Sequence, residues 1–451
     1  MAGKYEIDMC NGNLFPKILK CALPLMATNL LQLLYNAVDI VVVGRYVGET
    51  ALAAVGSTSS LINLIINVFV GISVGATVLV SQCIGSKDYN KTSDACHTAI
   101  TISLIAGVFL AVLGNIICKP LLVLMGSPDN VINQATLYMR IYFLGMPAFM
   151  LTTYGSALMR TVGDTKRPLY YFSISGILNV VLNLIFVLKF NMGVAGVAVA
   201  TIISQYLSAF FILGALTHTD GYIKIYLKDL RIVKESLLAM LAKGLPAGLQ
   251  SCIFGMSNVI IQSSVNSFGS VVIAGNSAAA NIEGFLYTAQ NTFCIVATSF
   301  AGQNFGAKKH KRIDKTLLYC TGIVLAVGIV FGSLLYTFGE NLLGIYAPGN
   351  PEAVRFGMIR SRYILSLYFL CGIMEVATGT IRGIGASVIP MITSVVGVCG
   401  IRIMWIFTVF PKYKTLETLF ACYPISWFVT WIILLCAYMF LRKNRFKKES
   451  Q

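Results

Sequence analysis

Three acidic residues inside long apolar stretches are the first candidates for chemistry in this sequence. Of the 18 Asp and Glu residues, only Asp39, Glu283 and Glu375 fall well inside such stretches. An acidic side chain at the centre of a membrane-spanning helix costs about 2.5–3.5 kcal/mol on insertion scales, so it is expected to face the protein interior and to be functional. These carboxyl groups are therefore candidates for binding a proton or a cation.

Asp39 closes a polar stripe in an otherwise apolar segment. Asn29, Gln32, Asn36 and Asp39 follow one another at spacings of three and four residues, which places all four side chains on one helical face. Pro24, near the start of the segment, removes one backbone hydrogen bond and allows the helix to bend. We expect this helix to carry the titratable group and to move.

The predicted surroundings of Asp39 are neutral. No basic residue lies in the interior of a first-half apolar segment, whereas Asn179 and Asn183 stand four apart on one later segment and Thr201 and Gln205 four apart on the next. A carboxylate among neutral oxygen donors suits sodium, and a buried carboxyl group without a cation binds a proton instead. The structural alternative is that Asp39 only joins helices through hydrogen bonds to Asn side chains.

The second half of the chain offers two glutamates and one base. Glu283 begins a stripe with Tyr287, Glu375 lies in another stripe, and Arg402 is the base in the middle of an apolar segment. Because a lone buried cation is costly, Arg402 is predicted to pair with one of the two glutamates, and the sequence leaves open which. We interpret Glu283 as the functional acid, and Glu375 and Arg402 as structural residues.

The composition indicates an integral membrane protein. The 451 residues are 57% hydrophobic and only 12% charged, whereas soluble proteins have roughly 25% charged residues. The net charge of +16 does not require a nucleic-acid partner, because most of the 34 Lys and Arg residues lie at the chain ends and in alternate short loops. That asymmetry places both termini in the cytoplasm of a plasma-membrane protein.

Other kinds of site find no support in the sequence. The 12 Cys residues are scattered, and the three His residues, His97, His218 and His310, lie at or near loops and are expected to be solvated. We therefore predict no disulfide framework, no metal site and no cofactor. The sequence also has no nucleotide-binding GxxxxGK[ST] loop and no Ser-His-Asp arrangement, so we predict that the protein is not an enzyme.

Twelve membrane-spanning helices are predicted to position these residues, since each span needs about 20 apolar residues. The most polar interval, 218–236, is predicted to be a cytoplasmic linker between six-helix lobes at 15–217 and 237–441. The predicted spans are 16–43, 52–80, 94–117, 134–158, 167–188, 194–216, 238–265, 271–299, 313–337, 356–381, 388–410 and 416–441.

The two halves of the chain repeat each other. Leu23-Pro24 recurs as Leu245-Pro246 at an offset of 222, and Gln82-x-x-Gly85 recurs as Gln303-x-x-Gly306 at an offset of 221. Pro246 is therefore a second candidate hinge. The paired Gln-x-x-Gly loops are interpreted as turns in which the glycine accepts a positive φ, with a gate as the alternative. Parallel repeats of this kind are typical of transporters that hold substrate between their halves.

Several motifs together resemble the MATE family of multidrug and toxic-compound extrusion transporters. They are Leu34-Tyr35-Asn36-Ala37-Val38-Asp39, Val43-Gly44-Arg45, Ala51-Leu52-Ala53-Ala54-Val55-Gly56, the paired Gln-x-x-Gly loops, Arg160-x-x-Gly163-Asp164 and Asn281-Ile282-Glu283. The similarity extends from Phe15 to Leu441. The resemblance implies an all-α fold of two pseudo-symmetric six-helix lobes in a V, which exports organic cations in exchange for protons or sodium.

The resemblance also implies a cation-coupling site. In the first lobe the family's acid, Asn, Asp and Thr positions correspond here to Asp39, Asn179, Asn183 and Thr201, and Glu283 matches the family's Glu on the eighth helix. The sequence departs from the family at Asn183, where Asp followed by Pro is common and where Leu184 follows here. One fewer carboxylate weakens the case for sodium and leaves proton coupling through Asp39 open.

The function expected from these observations is secondary-active export of amphipathic organic cations. Substrate contacts are expected from Gln32, Tyr35, Asn36, Met256 and Tyr287, since adaptable amide, aromatic and Met surfaces favour broad specificity. The alternative is a flippase for lipid-linked oligosaccharides of related two-lobe architecture, and a non-transporting receptor is a third possibility. The expected partners are small organic cations and the bilayer, and the expected state is a monomer.

Overall fold

The protein is built from helices. A computed structural model describes residues 5–125, 129–346 and 348–448, and no strand occurs in those ranges, which confirms the predicted all-α fold. The α-helices are α1 (Leu14–Val42), α2 (Glu49–Gly85), α3 (Tyr89–Leu124), α4 (Asp129–Leu144), α5 (Met146–Thr161), α6 (Lys166–Leu184), α7 (Gly193–His218), α8 (Lys234–Asn266), α9 (Ser270–Gly306), α10 (His310–Thr337), α11 (Gly339–Tyr346), α12 (Pro351–Ile364), α13 (Tyr368–Gly383), α14 (Val388–Ser394), α15 (Ile401–Thr408), α16 (Phe410–Tyr413) and α17 (Leu416–Lys448).

Most of these helices are apolar enough to cross a membrane. Ten helical stretches within the described ranges pass by length and composition, or eleven if α4 and α5, which meet at a bend of 49°, form one broken span. The predicted span 134–158 is therefore interrupted, because Pro147 lies in the first turn of α5 and lacks a backbone N–H.

The predicted eighth span corresponds to α9. This helix has 37 residues, but it is not among the apolar stretches because polar residues such as Asn276 and Glu283 lower its hydropathy. The predicted total of twelve requires α9 to cross the membrane as well, which its length allows.

Within the described ranges, three stretches of π-helix extend or join the α-helices. Val43–Val47 continues α1, Ile185–Lys189 continues α6, and Val395–Gly400 joins α14 to α15. A π turn widens the helix locally and occurs frequently at functional sites. The first two follow directly the helices that carry Asp39 and Asn183.

The chain divides into two compact units. The first unit comprises Met1–Met9 and Leu23–Gly248, and the second comprises Cys10–Ala22 and Leu249–Gln451. Both transitions inside helices fall beside prolines, since α1 enters the first unit just before Pro24 and α8 leaves it just after Pro246. The hinge role of these prolines and the lobe boundaries at 15–217 and 237–441 remain predictions. Residues 1–4 and 449–451, which form the two termini, lie outside the described residues.

The first unit contains a helix crossing made by glycines. Gly71 and Gly75 on α2 face Gly244 and Gly248 on α8, and a Cβ on Gly71 would lie 2.3 Å from the Cα of Gly248. A Cβ on Gly75 would lie 2.1 Å from the carbonyl oxygen of Met240. Small residues spaced by four along a helix let two backbones touch. The crossing therefore tolerates no side chain at these positions.

The polar interval 218–236, which joins α7 to α8, packs against α3. The backbone N–H of Tyr226 donates to Nε2 of His97 over 3.0 Å, and that of Val233 donates to the hydroxyl of Thr98 over 3.1 Å. Asp94 pairs with Arg231 at 2.6 Å. The prediction of a solvated His97 was wrong, because the segment that follows α7 covers its side chain, which is buried. Nε2 accepts the hydrogen bond from Tyr226, so the proton of the ring is on Nδ1, which donates to the carbonyl of Ser93.

The internal repeat is visible in the backbone dihedral angles. Residues with positive φ recur at offsets of 221 or 222: Gly48 (111°) and Gly269 (98°), Lys87 (58°) and Lys308 (55°), and Gly163 (79°) and Gly385 (83°). The expectation that Gly85 and Gly306 take the positive φ was wrong. Each is the last residue of its helix, and the left-handed conformation falls two residues later on a lysine.

The second unit has its own apolar core. Ala301 on α9 and Phe420 on α17 are fully buried in it. α9 and α13 approach closely, since a Cβ on Gly379 would lie 2.3 Å from the carbonyl oxygen of Cys294. This packing holds α9 in place, and α9 carries the acid Glu283.

Candidate functional site

Asp39 lies in a network of neutral polar side chains. The amide nitrogen of Asn183 donates to a carboxylate oxygen of Asp39 and, over 3.2 Å, to the amide oxygen of Asn179. The amide nitrogen of Asn179 in turn approaches the hydroxyl of Thr201 at 3.4 Å. The Thr201 hydroxyl also lies beside the Asp39 carboxylate. The four residues named from the sequence are therefore brought together.

Helices α1, α6 and α7 position this network. Asn179 and Asn183 are one turn apart on α6, so both reach the same side, and Thr201 lies on α7. α6 and α7 are joined nearby by a hydrogen bond of 2.5 Å between the hydroxyls of Ser175 and Ser208. Because these two helices adjoin each other, residues 18 or more positions apart in the chain converge on one carboxylate.

The network holds one negative charge and no base. Among the ion pairs of the described residues, none involves Asp39. Asn183 is fully buried, and its side-chain oxygen has no hydrogen-bond partner. A buried carbonyl oxygen without a donor is costly. The site therefore has an unused oxygen next to its carboxylate, which could accept a proton donor or contact a cation.

The predicted substrate contacts of the first unit differ in their surroundings. Gln32 and Asn36 are exposed on the face of α1 that also carries Asp39. Tyr35 packs its ring against Gly176, where a Cβ would lie 1.8 Å from a ring carbon, and its hydroxyl donates to the carbonyl of Ser173 at 3.4 Å. Tyr35 therefore joins α1 to α6, whereas Gln32 and Asn36 are free to meet a solute.

The remaining two predicted contacts belong to the second unit. The Met256 side chain is 63% exposed, so it offers an adaptable apolar surface. Tyr287 is 39% exposed, and its hydroxyl accepts a hydrogen bond of 2.9 Å from the amide of Asn291. The two groups of contacts thus lie in different units.

Glu283 has a guanidinium partner that the sequence did not suggest. Nε and Nη2 of Arg360 donate to its two carboxylate oxygens, each over 2.7 Å, and Nη1 donates to the side-chain oxygen of Asn276 over 2.7 Å. Both members of the pair are buried. Both oxygens of Glu283 accept a hydrogen bond from the same guanidinium, which favours a structural role for this pair over cation coupling.

The missed signal was the position of Arg360. It lies inside the predicted span 356–381, but near the start of that span, where a base is expected to reach the membrane surface. α12 buries it against α9 and α17, where its guanidinium also lies over the rings of Phe420 and Tyr423. Whether a residue near a helix end is buried depends on the neighbouring helices, and the sequence of its own span does not show this.

Arg402 pairs with neither glutamate, contrary to the sequence prediction. Its guanidinium lies 4.1 Å from the ring centroid of Tyr423 and 5.8 Å from that of Trp427. Its hydrogen bonds go to the hydroxyl of Ser426 at 3.2 Å and to the side-chain oxygen of Asn258 at 3.5 Å. The aromatic faces attract the guanidinium, which is the physical reason that Arg402 lies against Tyr423 and Trp427 and not against a glutamate.

Glu375 is the second-half acid without an ion pair. It is half-buried on α13, beside the thiol of Cys294, and no ion pair of the described residues includes it. The buried amide of Gln290 lies against Gly372 of the same helix, and neither of its polar atoms has a hydrogen-bond partner. The geometry favours Glu375 over Glu283 as the acid that is able to exchange a proton or a cation.

A protein-family model completes the assignment of the fold. The MatE model matches residues 24–185 and again residues 246–408. The chain belongs to the MatE family. The two matches begin 222 residues apart, which is the offset that the repeated motifs predict.

Curated relatives and solved structures agree with this assignment. The chain is 28% identical to the probable multidrug resistance protein YoeA of Bacillus subtilis over 94% of this chain and 93% of the relative. It is 23% identical to the probable multidrug resistance protein NorM of Thermotoga maritima, over 89% and 87% of the two chains. A solved structure, an outward-facing multidrug resistance MATE family transporter, covers 99% of this chain and 100% of its own, with a TM-score of 0.91 at 22% identity.

These similarities confirm the predicted family and its all-α membrane fold. The many apolar helices and the family together make this a multi-pass membrane protein. The flippase alternative receives no support from the relatives, whose names refer to multidrug resistance.

Proposed function

We propose that this MatE protein is a secondary-active exporter of amphipathic organic solutes, driven by a proton or sodium gradient through Asp39. The observation that carries the proposal is the carboxylate of Asp39, which is hydrogen-bonded to Asn183 and forms no ion pair in the part of the chain that the structure describes. An intramembrane acid of this kind binds a proton or a cation when its charge is not otherwise balanced. The names of the relatives support organic, drug-like solutes as the cargo.

The coupling step follows from the hydrogen bonds of the network. The amide N–H of Asn183 donates to Asp39 and therefore stabilises the ionised carboxylate. A proton on Asp39 turns that acceptor into a donor, and a sodium ion competes for the same oxygen. Either event weakens the link between α1 and α6. We propose that this change rearranges α1, near its proline Pro24, and discharges the cargo.

Both coupling ions are compatible with the donor set. Sodium has the carboxylate of Asp39, the amide oxygens of Asn179 and Asn183, and the hydroxyl of Thr201 within one network. However, the network has a single carboxylate, and Asn183 presents its nitrogen to it. A proton needs only Asp39 itself. We therefore propose proton coupling as the primary mode, with sodium as the second candidate.

The cargo, the location and the assembly complete the proposal. We propose that the solutes are mainly cationic, because the acid Asp39 lies on the helical face on which Gln32 and Asn36 are exposed. The membrane is proposed to be the plasma membrane, with both termini in the cytoplasm. One chain has two repeated units, so a monomer is proposed to enclose a complete pathway, without a cofactor and without enzymatic activity.

The test is dye efflux from vesicles that hold the purified protein. Ethidium, a fluorescent cation, is loaded into the vesicles, and either a proton or a sodium gradient is imposed on the wild type and on Asp39→Asn. We expect efflux under one gradient in the wild type and none in Asp39→Asn. The matched control is Asp94→Asn, the same change at a peripheral ion pair of the same unit. Undiminished efflux by Asp39→Asn would refute the coupling role.

A further inference from the structure

Arg402 is a buried cation, and all its direct contacts with the described residues are to neutral groups. Its side chain is 4% exposed, its two hydrogen-bond acceptors are Ser426 and Asn258, and two aromatic rings flank it. Neutral acceptors and rings hold a guanidinium in place, but they do not balance its charge.

The neighbouring ion pair is already complete and leaves this charge unbalanced. Arg360 shares the ring of Tyr423 with Arg402, but its guanidinium takes both oxygens of Glu283. Two guanidinium groups and one carboxylate thus surround Tyr423, and the cluster has a net charge of +1. A buried pair is tolerated when it is fully hydrogen-bonded, whereas an uncompensated buried charge is strongly unfavourable.

The internal repeat shows that the two units differ in the sign of their buried charge, which is negative at Asp39 in the first unit and positive at Arg402 in the second. At the offset of 222, Asp39 corresponds to Ile261, and Val180, beside Asn179, corresponds to Arg402. The second unit therefore lacks the acid and has a base at the related place. The polar position Asn36 corresponds to Asn258, which contacts Arg402.

The guanidinium retains a donor that is able to reach a ligand. Nη2 of Arg402 makes no hydrogen bond to the described residues and is not among the fully buried polar atoms. Asn258, which contacts Nη1, is exposed. Arg402 itself is only 4% exposed, so its contact with the exposed Asn258 is the place where a ligand would reach the guanidinium. A planar guanidinium with a free N–H is suited to bind an oxyanion.

We propose that Arg402, together with Asn258, binds a carboxylate group of the exported solute. This inference rests on the proposed export function and narrows its cargo: amphipathic solutes with a carboxylate are bound better than the same solutes with that group blocked. The site prefers a solute with a carboxylate because that carboxylate balances the positive charge of Arg402, which Glu283 does not neutralise.

The test compares rhodamine B, which has a free carboxylate, with its ethyl ester. Binding of each dye to the full-length protein is measured by fluorescence polarisation in phosphatidylcholine vesicles. The wild type is expected to bind the acid about tenfold more tightly than the ester, since a charge-assisted hydrogen bond is lost with the ester. Arg402→Gln is expected to abolish this preference, while the exposed Arg362→Gln keeps it. Equal binding of the two dyes by the wild type, or binding of neither, contradicts the proposal.

A second variant tests the site without removing the buried arginine. Asn258→Asp is close in shape and places a carboxylate beside Arg402, so it is expected to occupy the site from within and to remove the preference for the acid. A preference equal to that of the wild type would overturn the proposal, even if Arg402→Gln does not fold.

Two further arms separate the possible explanations. If phosphatidylglycerol in the vesicles removes the preference of the wild type, a lipid phosphate is the occupant and the proposed cargo selection is wrong. Efflux of the ester under a proton or sodium gradient tests the export function independently. If no efflux occurs but the protein still prefers the acid in a manner that depends on Arg402, the export function is wrong and the carboxylate-binding site is supported.

Discussion

Asn183 on α6 donates a hydrogen bond to Asp39 on α1, across 144 residues of the chain. The same amide nitrogen also reaches Asn179, so that one group joins the carboxylate to the rest of the network. In the proposed cycle, the charge of Asp39 and the position of α6 therefore depend on each other. This reciprocity is what a coupled transporter requires of its ion site.

Asn183→Asp is expected to shift the coupling ion toward sodium. A second carboxylate beside Asp39 raises the negative charge of the site, and two adjacent carboxylates favour a bound cation or a shared proton. Efflux of ethidium from vesicles would be measured under separate sodium and proton gradients. The matched control is Asn90→Asp, the same change at an exposed position at the start of α3. An unchanged ratio of sodium-driven to proton-driven efflux would argue against Asn183 as part of the ion site.

Breaking the Glu283–Arg360 pair is expected to destabilise the protein. Glu283→Gln or Arg360→Gln should cost about 3–5 kcal/mol, since each leaves a buried charge without its partner. Thermal unfolding of the solubilised protein checks this. Replacing both with apolar residues, as in Glu283→Leu with Arg360→Met, should recover most of the loss. The control is the exposed Asp94–Arg231 pair, whose disruption should have little effect.

Glu375→Gln is expected to lower gradient-driven efflux with little change in stability. Glu375 belongs to no ion pair of the described residues, and its charge interacts with Arg382 without a direct contact, so an isosteric amide removes its ability to ionise at little cost in stability. Efflux rates and unfolding temperatures of Glu375→Gln and Glu283→Gln would be measured in parallel. We expect Glu375→Gln to lower mainly the efflux rate and Glu283→Gln to lower mainly the unfolding temperature. The reverse pattern would return the functional role to Glu283.

Gly75→Ala is expected to destabilise the first unit. An exposed Gly to Ala change in a helix stabilises it by up to about 1 kcal/mol, but here the new Cβ would lie 2.1 Å from a carbonyl oxygen of α8. The helices must separate, so the sign of the effect reverses. The control is Gly214→Ala, because nothing lies within 4 Å of its Cβ position. A stabilising effect of both changes in a thermal unfolding assay would mean that α2 and α8 do not touch.

His97→Phe is expected to loosen the segment that lies on α3. The ring is preserved in size, but the N–H of Tyr226 loses its acceptor, and an unsatisfied buried donor costs about 1–3 kcal/mol. Hydrogen exchange of residues 219–233 should become faster, which mass spectrometry detects. His218→Phe, at an exposed histidine, should leave that exchange unchanged. Equal protection of the segment in His97→Phe and the wild type would contradict the hydrogen bond.

The sequence by itself determined the membrane class, the repeat and the acid of the first site. Hydropathy and helical spacing are properties of short windows, so they indicate apolar spans and place Asn179 and Asn183 on one face without any knowledge of neighbouring helices. The repeat is a comparison of the chain with itself. Asp39 stood out because an intramembrane carboxylate is costly wherever the other helices lie.

Only the tertiary structure decided which charged groups meet. Arg360 reaches Glu283 across 77 residues, while Arg402 contacts aromatic rings and, across 144 residues, Asn258. An ion pair of Arg402 was predicted from charge alone, because the sequence does not show that the rings of Tyr423 and Trp427 lie beside its guanidinium. Partners so distant in the chain are chosen by the packing of α9, α12, α15 and α17, and that packing depends on the shapes of many side chains at once.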